Sequence, residues 1–577
     1  MNLKDVKIEN FRGVSWLHLP LDKLTVLIGE NNAGKSTVLE SIKFVLNRSL
    51  GNQRGSQFAE YDFHLNDVNV TPQTAQPILI TLHFAEENLD EWPDAIIQQM
   101  NEVIQLDSAG LNHIWLQAKG NFNPDIVSFE TKWIFLNSNE EELILKNLTP
   151  INLISRFVPL FFLSALRDAS QEFGQRGQFW KSFLKSIQIP DAERAQIEET
   201  LEEVNTSVIG ANIGLTQVIQ EIAKLKGLVP LASNDPVVLE AFPTRIFDMV
   251  GKIQVYLKST YGAKIPLHRH GEGTQSLAVL MLFQAFVASN LAEAYAPESS
   301  PILALEEPEA HLHPSAICSL GSFLKNLSGQ TLVSSHSGDL LSRVPITSLR
   351  RLYKVNGETK VGQVQANLLD DKEMQAIDYS ICLTKGQYLF SRCWLLVEGK
   401  SDFHLMPLLL DIMGFSQDEV SLSVLEISEV INKGEPFIKL AKALGVQWFM
   451  MADGDAAGIE YINRATNHLE SHENLTDRAQ KLANADIEHE FWHNGYDNFI
   501  TSIVPPNVQT QIQARAGGDP VKETKEMIKA AINQKGGKPA FAQALAIEIR
   551  DRGATTIPQT IQDIITHAVQ LAGGRYG

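Results

Sequence analysis

The stretch LTVLIGENNAGKST constrains this chain more than any other. An apolar run ends in a glycine turn, and VLESIKFVL after it carries helical spacing. Gly29, Gly34, Lys35 and Ser36 fit the pattern G-x-x-x-x-G-K-[ST], in the strand-to-helix setting that the pattern requires. Glycines let backbone N–H groups approach phosphate oxygens, and a helix N-terminus favours their negative charge. The reading is an ATP-binding loop from Gly29 to Thr37 that includes Asn32 and Ala33. Lys35 should reach the β- and γ-phosphates, and Ser36 should ligate Mg²⁺.

A matching half lies far downstream. In ILALEEPEAHLHP an apolar run ends in Glu306 and Glu307. Glu306 is placed to hold the Mg²⁺ shell, and Glu307 to polarise a water attacking the γ-phosphate. His336, after the run TLVSS, is a candidate γ-phosphate sensor in this company. Between the halves, HGEGTQSLAVL puts Gly271, Gly273 and Thr274 ahead of an apolar stretch. It suits a γ-phosphate offered by a second subunit, though alone it is a weak signal. The apolar stretch itself, Leu277 to Ala296, is long enough to raise a membrane-spanning reading. Gln284, Asn290 and Glu293 within it favour a buried core helix.

Size and charge narrow the class. A chain of 577 residues is too long for one ordinary domain. Its net charge of -19 argues against a protein that coats nucleic acid, because phosphate contacts dominate that affinity. It leaves room for a nuclease, whose metal-binding carboxylates add negative charge locally. Cys318, Cys382 and Cys393 form no C-x-x-C pair, so neither disulfides nor a zinc knuckle is expected. The histidines His268, His270, His311 and His313 lack cysteine company, which disfavours a zinc site. The opening MNLKDVKIENFRG has no apolar signal core, and a cytoplasmic protein with no membrane partner is expected.

A second acidic constellation follows. WLLVEGKSD runs from an apolar strand into Glu398 and Asp402, and WFMMADGDAAG from another into Asp453 and Asp455. In a parallel sheet the carboxyl ends of strands meet at one crevice, so these side chains can converge. Carboxylates in such number suit hard divalent cations, Mg²⁺ or Mn²⁺. Ser428, between the two motifs, fits a metal contact and a plain loop serine equally well.

These patterns divide the chain. Residues 1–170 and 259–365 read as one discontinuous nucleotide-binding domain. Residues 171–258, rich in Gln and Glu, read as a helical insertion, and 366–392 as a polar linker. Residues 393–577 read as a second α/β domain alternating strands and helices around a parallel sheet.

The ordered set in the first domain, with IENFRG before it, resembles the ABC-type ATPase heads of the SMC, Rad50 and RecF group. The resemblance implies that Arg12 lies near the nucleotide and that two heads sandwich ATP between them. SALRD, with Arg167, resembles a segment of some of these heads. The glutamate and D-x-D of the second domain resemble a Toprim domain, whose chemistry is two-metal phosphodiester making or breaking. Head and Toprim domain in this order resemble the OLD (overcoming lysogenization defect) nucleases, over nearly the whole chain. That resemblance implies a further metal-binding acidic residue in ADIEHEFWHNGYDNFI, with Glu488 favoured and Glu490 close behind. It implies a phosphate-stabilising lysine in GGKPAFAQALA, Lys538, with Lys535 as the nearby alternative. It also implies dimerisation through the helical insertion and a role in anti-phage conflict, sometimes beside a helicase or a reverse transcriptase with its non-coding RNA.

The expectation is an ATP-controlled, metal-dependent DNA endonuclease, with one ion beside ATP and two in the Toprim site. Glu307, Glu398, Asp453 and Lys538 are its expected catalytic residues. A topoisomerase- or primase-type enzyme is an alternative. It lacks cysteines for a zinc element and room after the Toprim-like region for a strand-breaking tyrosine domain. A non-catalytic ATP-dependent DNA clamp is the other.

Overall fold

In a computed structural model, all residues are described except 47–57, 68, 126, 146–148, 164–188, 224–240, 242, 244–255, 259–263, 272, 276, 279, 282–297, 311, 328, 429 and 574–577. Arg167, His311, most of Leu277–Ala296 and much of the insertion therefore lie outside the described residues.

The head is built on two sheets with different burial codes. Asn2–Phe11, Val14–Pro20, Ile78–Ala85, Asn112–Asn123 and Ser128–Leu136 form an antiparallel sheet. Along Asn2–Phe11 only Leu3, Val6, Ile8 and Phe11 are buried, as expected for a sheet with one wet face. The second sheet runs in the order Glu358–Gln363, Leu349–Val355, Leu24–Gly29, Gln330–Ser334, Ile302–Glu306, Leu160–Leu163. Its four inner neighbours pair in parallel and are buried almost throughout, because both faces are covered. The glycine loop leaves the carboxyl end of Leu24–Gly29. Glu306 and Ser335–His336 leave the same ends of the next two strands, so one sheet edge collects all three motifs.

The second domain is α/β, with four parallel strands in the order Leu422–Glu426, Cys393–Val397, Gln447–Ala452, Ala479–Lys481. Beyond Lys481 the described chain holds helices only, ending with Gln559–Leu571. The expected strand–helix alternation therefore stops about ninety residues early (571 less 481). The reason is apolar spacing: Phe541, Ala542, Leu545, Ala546 and Ile549 are buried at helical intervals, as are Ile561, Ile564, Ile565, Ala568 and Val569. These helices cover one face of the sheet with Leu395, Val397, Phe449 and Met451.

The other face is continuous with the head. Trp394, Leu396, Phe437 and Met450 pack in one core with Val26, Ile28, Leu303 and Val333. The expected linker belongs to that core. Asp371–Thr384 is a helix, opened by a reciprocal capping box of Asp370 and Glu373, with Ile377 and Ile381 buried. Polar residues on its outer face disguised the two apolar positions. The insertion is also less uniform than expected. Asp191–Gly210 and Ile213–Ala223 are helices, but Tyr256–Lys258 is a strand paired with Lys264–Pro266.

Polar contacts seal the joint. Arg351 is buried and donates to Leu444 O at 3.3 Å, Gly445 O at 3.1 Å and Ser391 O at 3.0 Å. Arg392, one residue before the Toprim strand, holds both carboxylate oxygens of Glu30, the residue after Gly29. At Gly362 a Cβ would lie 2.4 Å from the carbonyl of Leu444, so only glycine permits this approach. Substituting Arg351→Met strands those carbonyls and should cost roughly 2–4 kcal/mol. Urea unfolding checks this, and an unshifted midpoint would show that the joint does not need the guanidinium.

Candidate functional site

The nucleotide loop is shaped before any ligand arrives. Gly29 has φ 139°, and a Cβ there would lie 2.1 Å from Leu352 O. Gly34 has φ 108°, and Asn32 φ 65°, a value that asparagine tolerates better than most residues. Ala33 is buried, while Asn32 and Ser36 are exposed and Thr37 is half-buried at the helix start. The Lys35 ammonium curls back, donating to Gly29 O at 2.8 Å and Glu30 O at 2.9 Å. Burial lowers its pKa, against the opposing pull of Glu307 and Glu30. Arg12 pairs with Glu40 on the helix after the loop, and with Asp62 at 2.9 Å.

Across the sheet edge, Glu306 ends its strand, and Glu307 takes a left-handed φ of 45°. Strain of that kind persists where the surroundings enforce it. Here Glu307 N donates to Ser334 O at 2.9 Å. Its carboxylate lies 3.6 Å from His336 Nε2. Burial and then Lys35 depress the His336 pKa. Glu309, which the sequence reading passed over in its Glu-Glu-Pro-Glu cluster, accepts from Ser335 Oγ and His336 N, both at 2.7 Å. It fixes the histidine loop. Gly273 begins helical residues 273–275, and Gln275 Nε2 donates to His270 O at 2.6 Å. His270 faces Ile265 O and His313 caps the helix Pro314–Leu324.

The second site gathers at the carboxyl edge of the parallel sheet. Glu398 follows its strand, and its Oε2 accepts from Asp453 N at 3.1 Å. Asp402 is buried in the first turn of Lys400–Ile412 and accepts from Gly399 N at 2.8 Å. Ser401 Oγ donates to buried Glu488, and Lys538 Nζ stands 3.9 Å from the same carboxylate. Asp455 caps the helix Ala456–Thr466 through Gly458 N. Two glycines permit this crowding. A Cβ at Gly454 would lie 2.0 Å from Asn484 O, and one at Gly458 1.9 Å from Asp453 O. Glu490 turns away, since its Oε2 accepts from Asn484 N at 3.0 Å and Asn484 Nδ2 at 2.8 Å. Ser428 Oγ donates to Glu426 at 2.6 Å, and Lys535 is exposed in the last turn of Pro520–Lys535. The sequence reading missed Ser401 and also Asp486, which caps Ile487–Phe491 and accepts from His489 Nδ1 at 2.6 Å.

Crowding sets the protonation. Burial first, then Glu488, pushes Asp402 up to about 8. Burial, then Asp402 and Glu398, pushes Asp453 up to about 9. Glu398 and Glu488 are raised too, again by burial first. Asp402 Oδ1 and Asp453 Oδ1 are buried without a hydrogen-bond partner. Buried carboxylate oxygens left bare in this way suit a divalent cation in kind. Among the described residues, however, no three His, Cys, Asp or Glu side chains are grouped so that they could hold a metal ion without moving.

With this geometry in view, residues 1–387 match the family described as "Protein of unknown function (DUF2813)". The chain belongs to that family. Residues 389–455 match "Overcoming lysogenization defect protein-like, TOPRIM domain". The OLD-type arrangement of head and Toprim domain expected from the motifs is thereby borne out. The chain is similar to the uncharacterized protein YbjD of Escherichia coli K12, 23% identical over 605 residues and 100% of both chains. It is similar to the Old nuclease of Escherichia phage P2, 25% identical over 79% of this chain and 77% of that protein. It also resembles the endonuclease GajA of Bacillus cereus VD045, 22% identical over 71% of this chain and 68% of that one. No helix among the described residues is long and apolar enough to cross a membrane.

The raised carboxylates make a pH prediction for the metal-free protein. Asp402 and Asp453 bind protons more tightly folded than unfolded. Their contribution to stability is therefore full below pH about 4 and lost as pH rises towards about 9. Asp453→Asn, which cannot ionise, should raise the thermal midpoint in EDTA at pH 8 more than at pH 5. Equal shifts at both pH values would contradict this protonation pattern.

Proposed function

We propose that this chain is an ATP-binding, metal-dependent DNA endonuclease whose nucleotide head controls a Toprim cutting site. The observation that carries it is the pair of bare buried oxygens on Asp402 and Asp453, set among Glu398 and Glu488 in a domain of OLD-like Toprim type. The family relatives named nucleases support the activity.

Glu398, Asp402, Asp453 and Glu488 would hold Mg²⁺ or Mn²⁺, with Asp455 at the rim. Two bound ions would supply an activated nucleophile and a stabilised leaving oxygen. We assign the ligand role to Glu488 rather than Glu490, because Glu490 is already spent on Asn484. Ser401 aims the Glu488 carboxylate. Lys538 sits beside it, placed to offset charge that builds on a phosphate.

In the head, Lys35 would redirect its ammonium from two carbonyls to the β- and γ-phosphates. Ser36 and Glu306 would complete the Mg²⁺ shell of ATP. Glu307 would orient water, with His336 alongside it. The Gly273 segment of a second copy would close the site, which makes the working form at least a dimer. The glycine loop reaches the Toprim strand directly through Glu30 and Arg392. A place in anti-phage defence, beside a helicase or reverse-transcriptase partner, rests on the family resemblance.

Plasmid nicking in Mg²⁺ or Mn²⁺ tests the core of this reading. Glu398→Ala, Asp453→Ala and Lys538→Ala should each lower the rate at least a hundredfold. Undiminished nicking by all three would sink it, and a covalent protein–DNA adduct would point to a topoisomerase instead. Arg392→Ala should keep both ATP hydrolysis and nicking while abolishing the effect of ATP on nicking. Persistence of that effect would mean that the signal takes another route.

A further inference from the structure

One loop at the rim of the carboxylate cluster is built in an expensive backbone form. After the strand Leu422–Glu426 the chain turns at Ile431–Gly434 and enters the helix Glu435–Leu444. Asn432 has φ 53° and ψ 30°, and Lys433 has φ 54° and ψ 46°. Gly434 follows with φ 77°. Asparagine and glycine accept left-handed backbone readily, whereas lysine does not. Such a conformation persists only when neighbours enforce it.

The neighbours here are specific. Asn432 Nδ2 donates to Glu373 Oε1 at 3.1 Å, and Lys439 Nζ holds both oxygens of the same buried carboxylate at 2.8 and 3.1 Å. Gly434 packs so tightly on Ile427 that a Cβ would lie 2.6 Å from its Cδ1. The turn is nailed on both sides of Lys433, and the capped helix Asp371–Thr384 supplies one nail.

Lys433 is thereby held over the ring of Tyr461, its Nζ 4.9 Å from the centroid. Tyr461 is buried on the helix that Asp455 caps. The strand Leu422–Glu426 lies beside Cys393–Val397, so this loop and Glu398 leave the same sheet edge as neighbours. Glu398 senses the Lys433 charge, and Tyr461 senses Glu398 and Asp453. Among the described residues, Lys433 has no carboxylate within ion-pair distance. A half-buried ammonium stands at the Glu398 end of an acidic crevice, as Lys538 stands at the Glu488 end.

We propose that Lys433 binds a backbone phosphate of the DNA substrate at the Glu398 end of the cluster, and that the left-handed turn exists to present it. The proposal rests on the endonuclease reading above. Lys433 adds a positive side chain at the Glu398 end of the cluster, and positive side chains are what make the approach of a phosphodiester favourable.

The test uses the conformation itself. Lys433→Gly relieves the strain, so thermal stability should hold or rise. Lys433→Asn, which also accepts the left-handed form, is a second neutral variant. For both, cleavage of plasmid should fall at least tenfold. Binding of a fluorescent duplex with Ca²⁺ in place of Mg²⁺ should weaken, and the slope of log affinity against log salt should shrink by about 1. Lys433→Arg should restore most of the binding. A wild type that fails to nick, or nicks regardless of Asp453→Ala, overturns the endonuclease reading and this proposal with it. Nicking that depends on Asp453 but is indifferent to both neutral variants overturns the Lys433 assignment alone. A loss of thermal stability in both variants, with DNA affinity unchanged, would also overturn it by making the lysine structural.

Discussion

The arrangement of this molecule depends on one buried guanidinium and the core around it. Arg351 satisfies three carbonyls of the Toprim side, while its neighbour Leu352 forms the wall against which Gly29 turns. Burial lowers the Arg351 pKa to about 10, which still leaves it charged at neutral pH. A charge kept in such a place is tolerated through the hydrogen bonds of its two terminal nitrogens, while Nε is left buried without a partner among the described residues. The two sheets are therefore not beads on a string. Val26 and Ile28 behind the nucleotide loop belong to the same apolar cluster as Trp394 and Leu396 behind Glu398. Because packed cores transmit small displacements rather than absorb them, this continuity is the physical basis on which the proposed control of one site by the other rests.

The second constraint is charge. Glu398, Asp402, Asp453 and Glu488 at the Toprim edge are crowded by burial and by neighbouring carboxylates, and Asp453 is pushed up to about 9 as a result. Stability alone would remove such a cluster, since buried like charges oppose folding. Its presence, together with left-handed Glu307 in the head and left-handed Lys433 in the loop after the neighbouring strand, is consistent with the chemistry proposed for both sheet edges.

Much of this was legible residue by residue. The glycine loop announced itself, because phosphate binding demands small residues at set spacing and the flanking apolar runs declare strand and helix. The strands ending at Glu306, Glu398 and Asp453 were equally plain, since continuous apolar runs signal a sheet covered on both faces. The helix Asp371–Thr384 was passed over as a linker even though its capping box and paired isoleucines are visible in the sequence. Sparse apolar positions on a polar helix mean little until a partner surface is known. The helical end of the chain was missed for a related reason, because amphipathic spacing after the last strand does not say which sheet face it must cover.

The sequence by itself determined the chemistry on offer: a phosphate loop, three acidic strand ends and the order in which they come. Those are local matters, decided by residue type and near spacing. Only the tertiary structure decided which groups share a site. It separated Glu488 from Glu490, two residues apart, by turning one towards Ser401 and Lys538 and the other towards Asn484. It joined Glu30 to Arg392 across 362 positions. It also placed Lys433, which no motif marks, over Tyr461 in the loop that leaves the strand next to that of Glu398. Contacts of that range follow from how sheets pack and where strands end, and no local pattern encodes them.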